Sequence, residues 1–193
     1  DNVREVVRLE PEQPLIIENF ESPNPGTPPV TSRPGAISAE LQIVRIVDFD
    51  PAGRPIREEH PEKIVFINDG DSSTGWYTER YTTSDFGKLK EGVGLIIGLG
   101  PPQQIDRLRI SSPNIDWSFE IFTSDKNAAG AIPTWGQPVA KREEISGTIT
   151  VDLEGSSGAT LLLWITDLGK ELAVGGHRVT ITGLTVTGRP IYG

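Results

Sequence analysis

From residue 40 onward the apolar side chains recur at every second position, the spacing that a pleated strand turns into one apolar face. Leu41, Ile43, Val47 and Phe49 share a parity, as do Val93, Leu95, Ile97 and Leu99. In the second set Gly94, Gly98 and Gly100 take the alternate positions, which suits a strand face approached closely by backbone or by large side chains. Further strands are expected at 105–110, 117–123, 148–153, 160–166 and 178–187, each bounded by Gly, Pro, Asn or Asp. Residues 161–165 are apolar on both parities and predict a central strand covered on each side. In the last strand Val179 and Ile181 are odd while Leu184 and Val186 are even, so a β-bulge at Gly183 is expected to keep all four in the core. No 3.6-residue pattern is sustained, and one short helix is expected at 61–66 with Pro61 in its first turn. Seven or more short strands without alternating helices predict an all-β fold, an antiparallel β-sandwich of the jelly-roll kind.

Composition narrows the setting. The 193 residues hold 27 acidic and 18 basic side chains, a net charge of −9, which argues against nucleic acid as a partner. There is no Cys, so a disulfide framework, a zinc ribbon and a thiol nucleophile are all excluded. The longest run of large apolar residues, 161–165, is far short of the roughly 20 needed to cross a bilayer as a helix. The chain begins at Asp1 and contains no Met, which reads as a processed product or a domain of a longer parent. Residues 21–35 carry Pro23, Pro25, Pro28, Pro29 and Pro34, a density that imposes extended geometry on a linker. The expected organisation is a Pro-rich N-terminal arm over 1–39, the sandwich over 40–188 and a tail over 189–193.

Little in the sequence points to catalysis. The two histidines, His60 and His177, sit in no nucleophile or paired-ligand motif, and the adjacent Glu143 and Glu144 would face opposite ways on a strand. The densest group of hard oxygen donors is Asn68-Asp69-Gly70-Asp71-Ser72-Ser73-Thr74-Gly75-Trp76. Asp69, Asp71 and Thr74 are candidate calcium ligands around a glycine turn, with Asp48 and Asp50 as further candidates. The competing reading is a tight turn whose aspartates bind backbone amides while Trp76 buries its ring.

Sugar recognition needs an aromatic face and planar polar groups, and the long connection after Trp76 offers Tyr77, Arg80 and Tyr81. Alternatively, Trp76, Tyr81 and Phe86 fold this loop back onto the sandwich. Trp135, in a Pro-Thr-Trp-Gly turn, is a candidate aromatic anchor or a ring tucked under its own turn. Trp117 alternates with Phe119 and Ile121 and is a weaker candidate, with core burial the competing role. Asn114, Asp116, Lys126 and Asn127 form a second tier of polar loop residues, and Trp164 is expected to be structural.

The Asp69–Trp76 stretch resembles the DGD-x-x-T-x-W signature of galactose-binding-like, or discoidin-like, modules. Four further blocks occur in order: residues 47–51 (VDFDP), 76–81 (WYTERY), 86–95 (FGKLKEGVGL) and 123–125 (TSD). Together they resemble the C-terminal extracytoplasmic domain of actinobacterial MviN proteins, the MurJ-like lipid II flippases, over about residues 40 to 188. The resemblance implies a non-catalytic module tethered outside the membrane. Its partners would be cell-wall carbohydrate, a lipid-linked peptidoglycan precursor or an envelope protein. It also implies that no cofactor is required. In calcium-containing members of the broader fold the DGD loop cooperates with an acidic residue near the C-terminal strand, yet residues 181–186 here carry no carboxylate. The alternative function is a structural or protein-interaction module without sugar binding.

Overall fold

A computed structural model describes residues 37–53, 59–126, 132–170 and 172–191. Residues 1–36, most of the expected Pro-rich arm, and Asn127 lie outside the described residues. Among the described residues nine strands follow in order: β1 (Ala39–Leu41), β2 (Arg45–Phe49), β3 (Trp76–Tyr77), β4 (Val93–Ser111), β5 (Trp117–Ser124), β6 (Ala140–Ile145), β7 (Ile149–Asp167), β8 (Thr180–Ile181) and β9 (Gly183–Pro190). The main sheet runs β1-β9-β4-β7-β5-β6 with β2 also on β4, and β3 pairs with β8. Every one of these pairings is antiparallel.

The sandwich is built by bending two long strands. The first half of β4 pairs with β2 and with the second half of β7, whereas its second half pairs with β9 and the first half of β7. The β4–β7 register breaks between Gly98 and Gln103, where Gly100 adopts φ +86° ahead of Pro101 and Pro102. The segments expected as four separate strands, 93–99 with 105–110 and 148–153 with 160–166, are therefore two continuous ones. Gly and Pro here bend a strand from one layer into the other and do not reverse the chain. The glycine face of β4 is approached as closely as its sequence suggested: a Cβ on Gly94 would lie 2.1 Å from the Leu163 carbonyl oxygen.

Val93, Leu95, Ile97, Leu108, Ile110, Phe119, Ile121, Leu161, Leu163 and Val186 fill the space between the layers, alongside Trp76 and Trp117. Leu162 and Trp164 point the other way into a second cluster with Phe49, Ile96, Phe122 and Trp135. Residues 161–165 are thus covered on both faces, each large side chain contributing about 1.5–3 kcal/mol by burial. Leu41 and Ile43 pack against the first cluster but Val47 and Phe49 belong with the second, because the chain breaks at 42–44 between strands with different partners.

The expected bulge at Gly183 is replaced by a break at Thr182. β8 pairs with β3 and β9 with β4, and Thr182 N–H donates to the Ser111 carbonyl at 2.9 Å as the chain changes partner. Val179, Ile181, Leu184 and Val186 are all buried, so the parity change is absorbed by switching sheets. Residues 61–66 form a 3-10 helix with Pro61 at its start. The β6 edge, Ala-Lys-Arg-Glu-Glu-Ile, carries charges that discourage further strand pairing.

Candidate functional site

Asp69 spends both carboxylate oxygens, and Asp71 its Oδ1, on their own loop. Asp69 Oδ1 accepts from Asp71 N–H at 2.8 Å and Oδ2 from the Thr74 hydroxyl at 2.6 Å. Asp71 Oδ1 accepts from Ser73 N–H at 2.8 Å and from its hydroxyl at 2.6 Å. These Ser73 donors hold the Asp71 carboxyl below its ordinary pKa. Asn68, at φ +65°, reaches across to β9, donating to the Leu184 carbonyl at 2.7 Å and accepting from Leu184 N–H at 2.8 Å. The segment is a chain of side-chain-capped turns pinned to the last strand.

Beneath the neighbouring loop lies a buried ionic network that alternation cannot reveal. Lys90 Nζ sits 2.5 Å from Asp50 Oδ2 and 3.0 Å from Glu59 Oε1. Tyr81 donates its hydroxyl to the same Glu59 oxygen at 2.5 Å, Glu79 N–H donates to Glu59 Oε2 at 2.5 Å, and Trp76 Nε1–H donates to the Glu59 carbonyl at 2.5 Å. Asp50 Oδ1 accepts from Ala52 N–H at 3.2 Å, so each carboxylate oxygen has a donor. Burial works against the Lys90 ammonium, but its interactions with Asp50, Tyr81 and Glu59 outweigh it and hold its pKa above the ordinary lysine value. Burial and the Glu59 hydrogen bond likewise push the Tyr81 hydroxyl up. Tyr81 is therefore a buried support, packed edge-on against Phe86 with ring centres 5.2 Å apart.

Above this network β3 presents Tyr77 at the rim. The His60 ring lies 4.7 Å from the Tyr77 ring, tilted by 57°, and the Arg178 guanidinium lies 4.4 Å from the Tyr77 centroid. His60 is held at φ +55°, with Nδ1 3.2 Å from Glu62 Oε1 and Nε2 3.2 Å from Glu79 Oε1. Asn114 fixes the backbone behind Arg178: its Nδ2 donates to the Arg178 carbonyl at 2.5 Å and its Oδ1 accepts from Thr180 N–H at 2.8 Å. Arg80 lies with its stem over Gly176 and Nη1 3.5 Å from the Val174 carbonyl.

The structure thus separates the sequence candidates. Tyr77 lies at the rim, Arg80 braces the 172–176 turn and Tyr81 is internal. Trp117 has no exposed surface and packs against Phe119, so it offers no ring to a ligand. Trp135, 6% exposed, lies under its own 3-10 turn with its ring 6.4 Å from that of Phe49, because Phe49 and Trp164 leave an apolar face there to cover. Asp116 pairs with Lys170 at 3.1 Å. Lys126 follows β5 near the bend, where Ser124 pairs with Thr160 and Thr160 with Gly98. His60 and Arg178 were missed by sequence reading. They are 118 positions apart with no shared motif, and only the β3–β8 pairing brings them to one tyrosine.

No family model matches the chain, and no curated protein matches its sequence. Solved structures do match. A chitosan-binding module from a chitosanase/glucanase of Paenibacillus sp. IK-5 superposes with a TM-score of 0.54 at 14% identity, over 77% of this chain and 96% of that one. The CBM32 of AlyQ, solved with 4,5-unsaturated mannuronic acid, gives 0.50 at 11% identity over 77% and 97%. The fold is that of a galactose-binding-like jelly roll. A truncated AlyQ carrying CBM32 and alginate lyase domains gives 0.53 at 11% identity, covering 81% of this chain, which spans only 34% of that protein. Carbohydrate-binding modules are thus the structural neighbours of this jelly roll.

Calcium does not fit the DGD loop of this jelly roll as it stands. Asp69 and Asp71 are turned onto amides and hydroxyls of the loop, and among the described residues no three His, Asp or Glu side chains gather as a metal would require. Asp50 is committed to Lys90, and Asp48 Oδ2 accepts from Glu59 N–H at 2.7 Å.

Proposed function

We propose that this chain is a non-catalytic glycan-binding module that engages its ligand through the rim around Tyr77, without turnover. The supporting observation is the cluster of Tyr77, His60 and Arg178, in which a strand-borne aromatic ring meets planar polar groups from two flanking loops beside a buried ionic network. Rigid placement of this kind suits sugar hydroxyls, which reward donors and acceptors in set directions. We assign the module to the outer side of the plasma membrane, tethered through a MurJ/MviN-type parent in peptidoglycan biosynthesis. Its ligand would be cell-wall glycan or a lipid-linked precursor. This assignment rests on the ordered sequence blocks at 47–51, 69–81, 86–95 and 123–125. Titrating the full chain with muropeptide and arabinogalactan fragments while following amide shifts tests the reading. Shifts are expected at Tyr77, His60 and Arg178, with Tyr77→Ala weakening binding by about tenfold or more, the scale of a hot-spot aromatic. No response to any fragment at millimolar concentration overturns it.

A second reading, an interaction module for an envelope protein, is favoured by the exposed aliphatic residues Val65, Leu89 and Val174 and by the burial of Trp117 and Trp135. Capture of one defined envelope partner, lost on Leu89→Asp or Val174→Asp and unaffected by glycan, would select it.

A further inference from the structure

A neutral imidazole carries one N–H and one bare nitrogen, whereas the imidazolium carries two N–H groups and no acceptor. The surroundings of a histidine therefore report which form they suit. His60 has a carboxylate oxygen on each side: Glu62 Oε1 lies 3.2 Å from Nδ1 and Glu79 Oε1 lies 3.2 Å from Nε2. With one proton on the ring, a nitrogen lone pair would face one of these oxygens and repel it. With two, both contacts are charge-assisted. His177 supplies the contrast, since its Nδ1 meets the Gly169 carbonyl at 2.7 Å, a contact that a single N–H satisfies.

The ring and its two carboxylates come from segments that the fold anchors. Glu59 N–H donates to Asp48 Oδ2 at 2.7 Å and the Glu59 carbonyl accepts from Trp76 Nε1–H, so the chain entering His60 is fixed. His60 itself lies in the left-handed region at φ +55°, which a residue with a Cβ adopts only where its surroundings impose it. Its carbonyl accepts from Lys63 N–H at 2.9 Å, and Glu79 N–H donates to Glu59 Oε2. The other charges near the ring are Lys63, over the Phe66 ring, and Arg178, on the Tyr77 ring, while the Glu59 carboxylate is matched by Lys90. A backbone hydrogen bond first, and the His60 ring after it, hold the Glu62 carboxyl below its ordinary value, so it stays ionised where histidines titrate. The His60 side chain is 27% exposed and those of Glu62 and Glu79 are 60% and 57% exposed, so the proton can exchange with water.

We propose that His60 is a proton-operated clamp on the Tyr77 rim. The imidazolium ties Glu62 to Glu79 and holds its ring against Tyr77; loss of the proton releases one carboxylate and loosens the ring. The module then holds glycan more tightly at mildly acidic than at mildly alkaline pH. The inference rests on the reading of the Tyr77 rim as a sugar site. Its sign follows from the two carboxylates: the rim as it stands suits the charged ring, so affinity falls as pH rises through the His60 titration.

The test measures Kd of the full 193-residue chain for arabinogalactan and muropeptide fragments by calorimetry at about pH 5.5 and about pH 8, on either side of the ordinary histidine value of about 6.5. NMR follows the His60 ring nitrogens and the Glu79 and Tyr77 amides across the same range. Binding is expected to be about tenfold tighter at the lower pH, the scale of one charge-assisted contact. In Glu79→Gln the amide can turn either its oxygen or its NH2 to the ring, so both protonation states fit and the ratio is expected to fall toward one. The native chain decides the question by itself if the variant does not fold. Equal affinities, or weaker binding at the lower pH, overturn the clamp and leave the sugar reading intact, as does a ratio that Glu79→Gln leaves unchanged. If no fragment binds at either pH, the sugar reading falls and the free chain decides the clamp: Glu79 and Tyr77 amides that titrate with the His60 ring keep it, and amides that ignore the ring end it.

Discussion

Two acidic loops of this module have opposite fates. In the 69–74 loop the aspartates are exposed and capture amides and hydroxyls within five residues of themselves. At Asp50 and Glu59, 4% and 1% exposed, the carboxylates close over an ammonium that arrives from residue 90. The side chains are of one chemical kind, so depth decides their role. A surface carboxylate can exchange a backbone donor for water at little cost, whereas a buried one depends on a compensating charge. Local turn chemistry shapes the first loop. Long-range charge pairing ties the second to the rest of the domain.

The sharpest way to break this contrast is to remove the ammonium. Lys90→Met keeps most of the side-chain volume and leaves Asp50 and Glu59 facing each other. Denaturant unfolding is expected to show a loss of about 3–5 kcal/mol, as for one partner removed from a buried ion pair. Asp71→Asn in the exposed loop should move the midpoint only slightly. Comparable losses from the two substitutions would erase the distinction.

A smaller effect separates the loops by pH. The folded pKa values of Lys90 and Tyr81 are raised, so their contribution is complete below the unfolded values of about 10 and is lost as pH rises through the folded ones. The Asp71 value is lowered, so its contribution is present above about pH 4 and is lost as pH falls through the folded value. Unfolding midpoints are expected to decline above pH 10 in the native chain. The decline should be shallower in Lys90→Met and Tyr81→Phe and unchanged in Asp71→Asn.

The smallest expected effect is none at all. Chelator or added calcium should leave the melting temperature of the full chain where it was, because a ligand held by the native state would raise it. A calcium-dependent rise abolished by Asp69→Asn would show that the 69–74 loop rearranges to hold the ion.

How much of this was legible in the sequence follows the range of the interactions. The double-sided run at 161–165 announced a central strand, since burial on both faces needs only local composition. The parity change near Gly183 was legible as a discontinuity. Its resolution at Thr182 was not, because it depends on β3 supplying a new partner for β8. Gly100, Pro101 and Pro102 carry the same signals whether a strand reverses or bends. Only the ladder on either side distinguishes the two. At the site, Tyr77 was visible as a loop aromatic, whereas Lys90 read as one charge in a charged loop and Arg178 as one more strand-end basic residue. What marks both is what surrounds them in space.

The bend in β4 has one more consequence. Because β4 and β7 each run through both layers, neither layer can detach without drawing a strand out of the other. The covalent backbone itself joins the two halves, so no half-open form retains an intact neighbour. Damage to either of these two strands, as by filling Gly94 of β4 against the Leu163 carbonyl of β7, is therefore expected to reach the rim as a loss of the whole assembly.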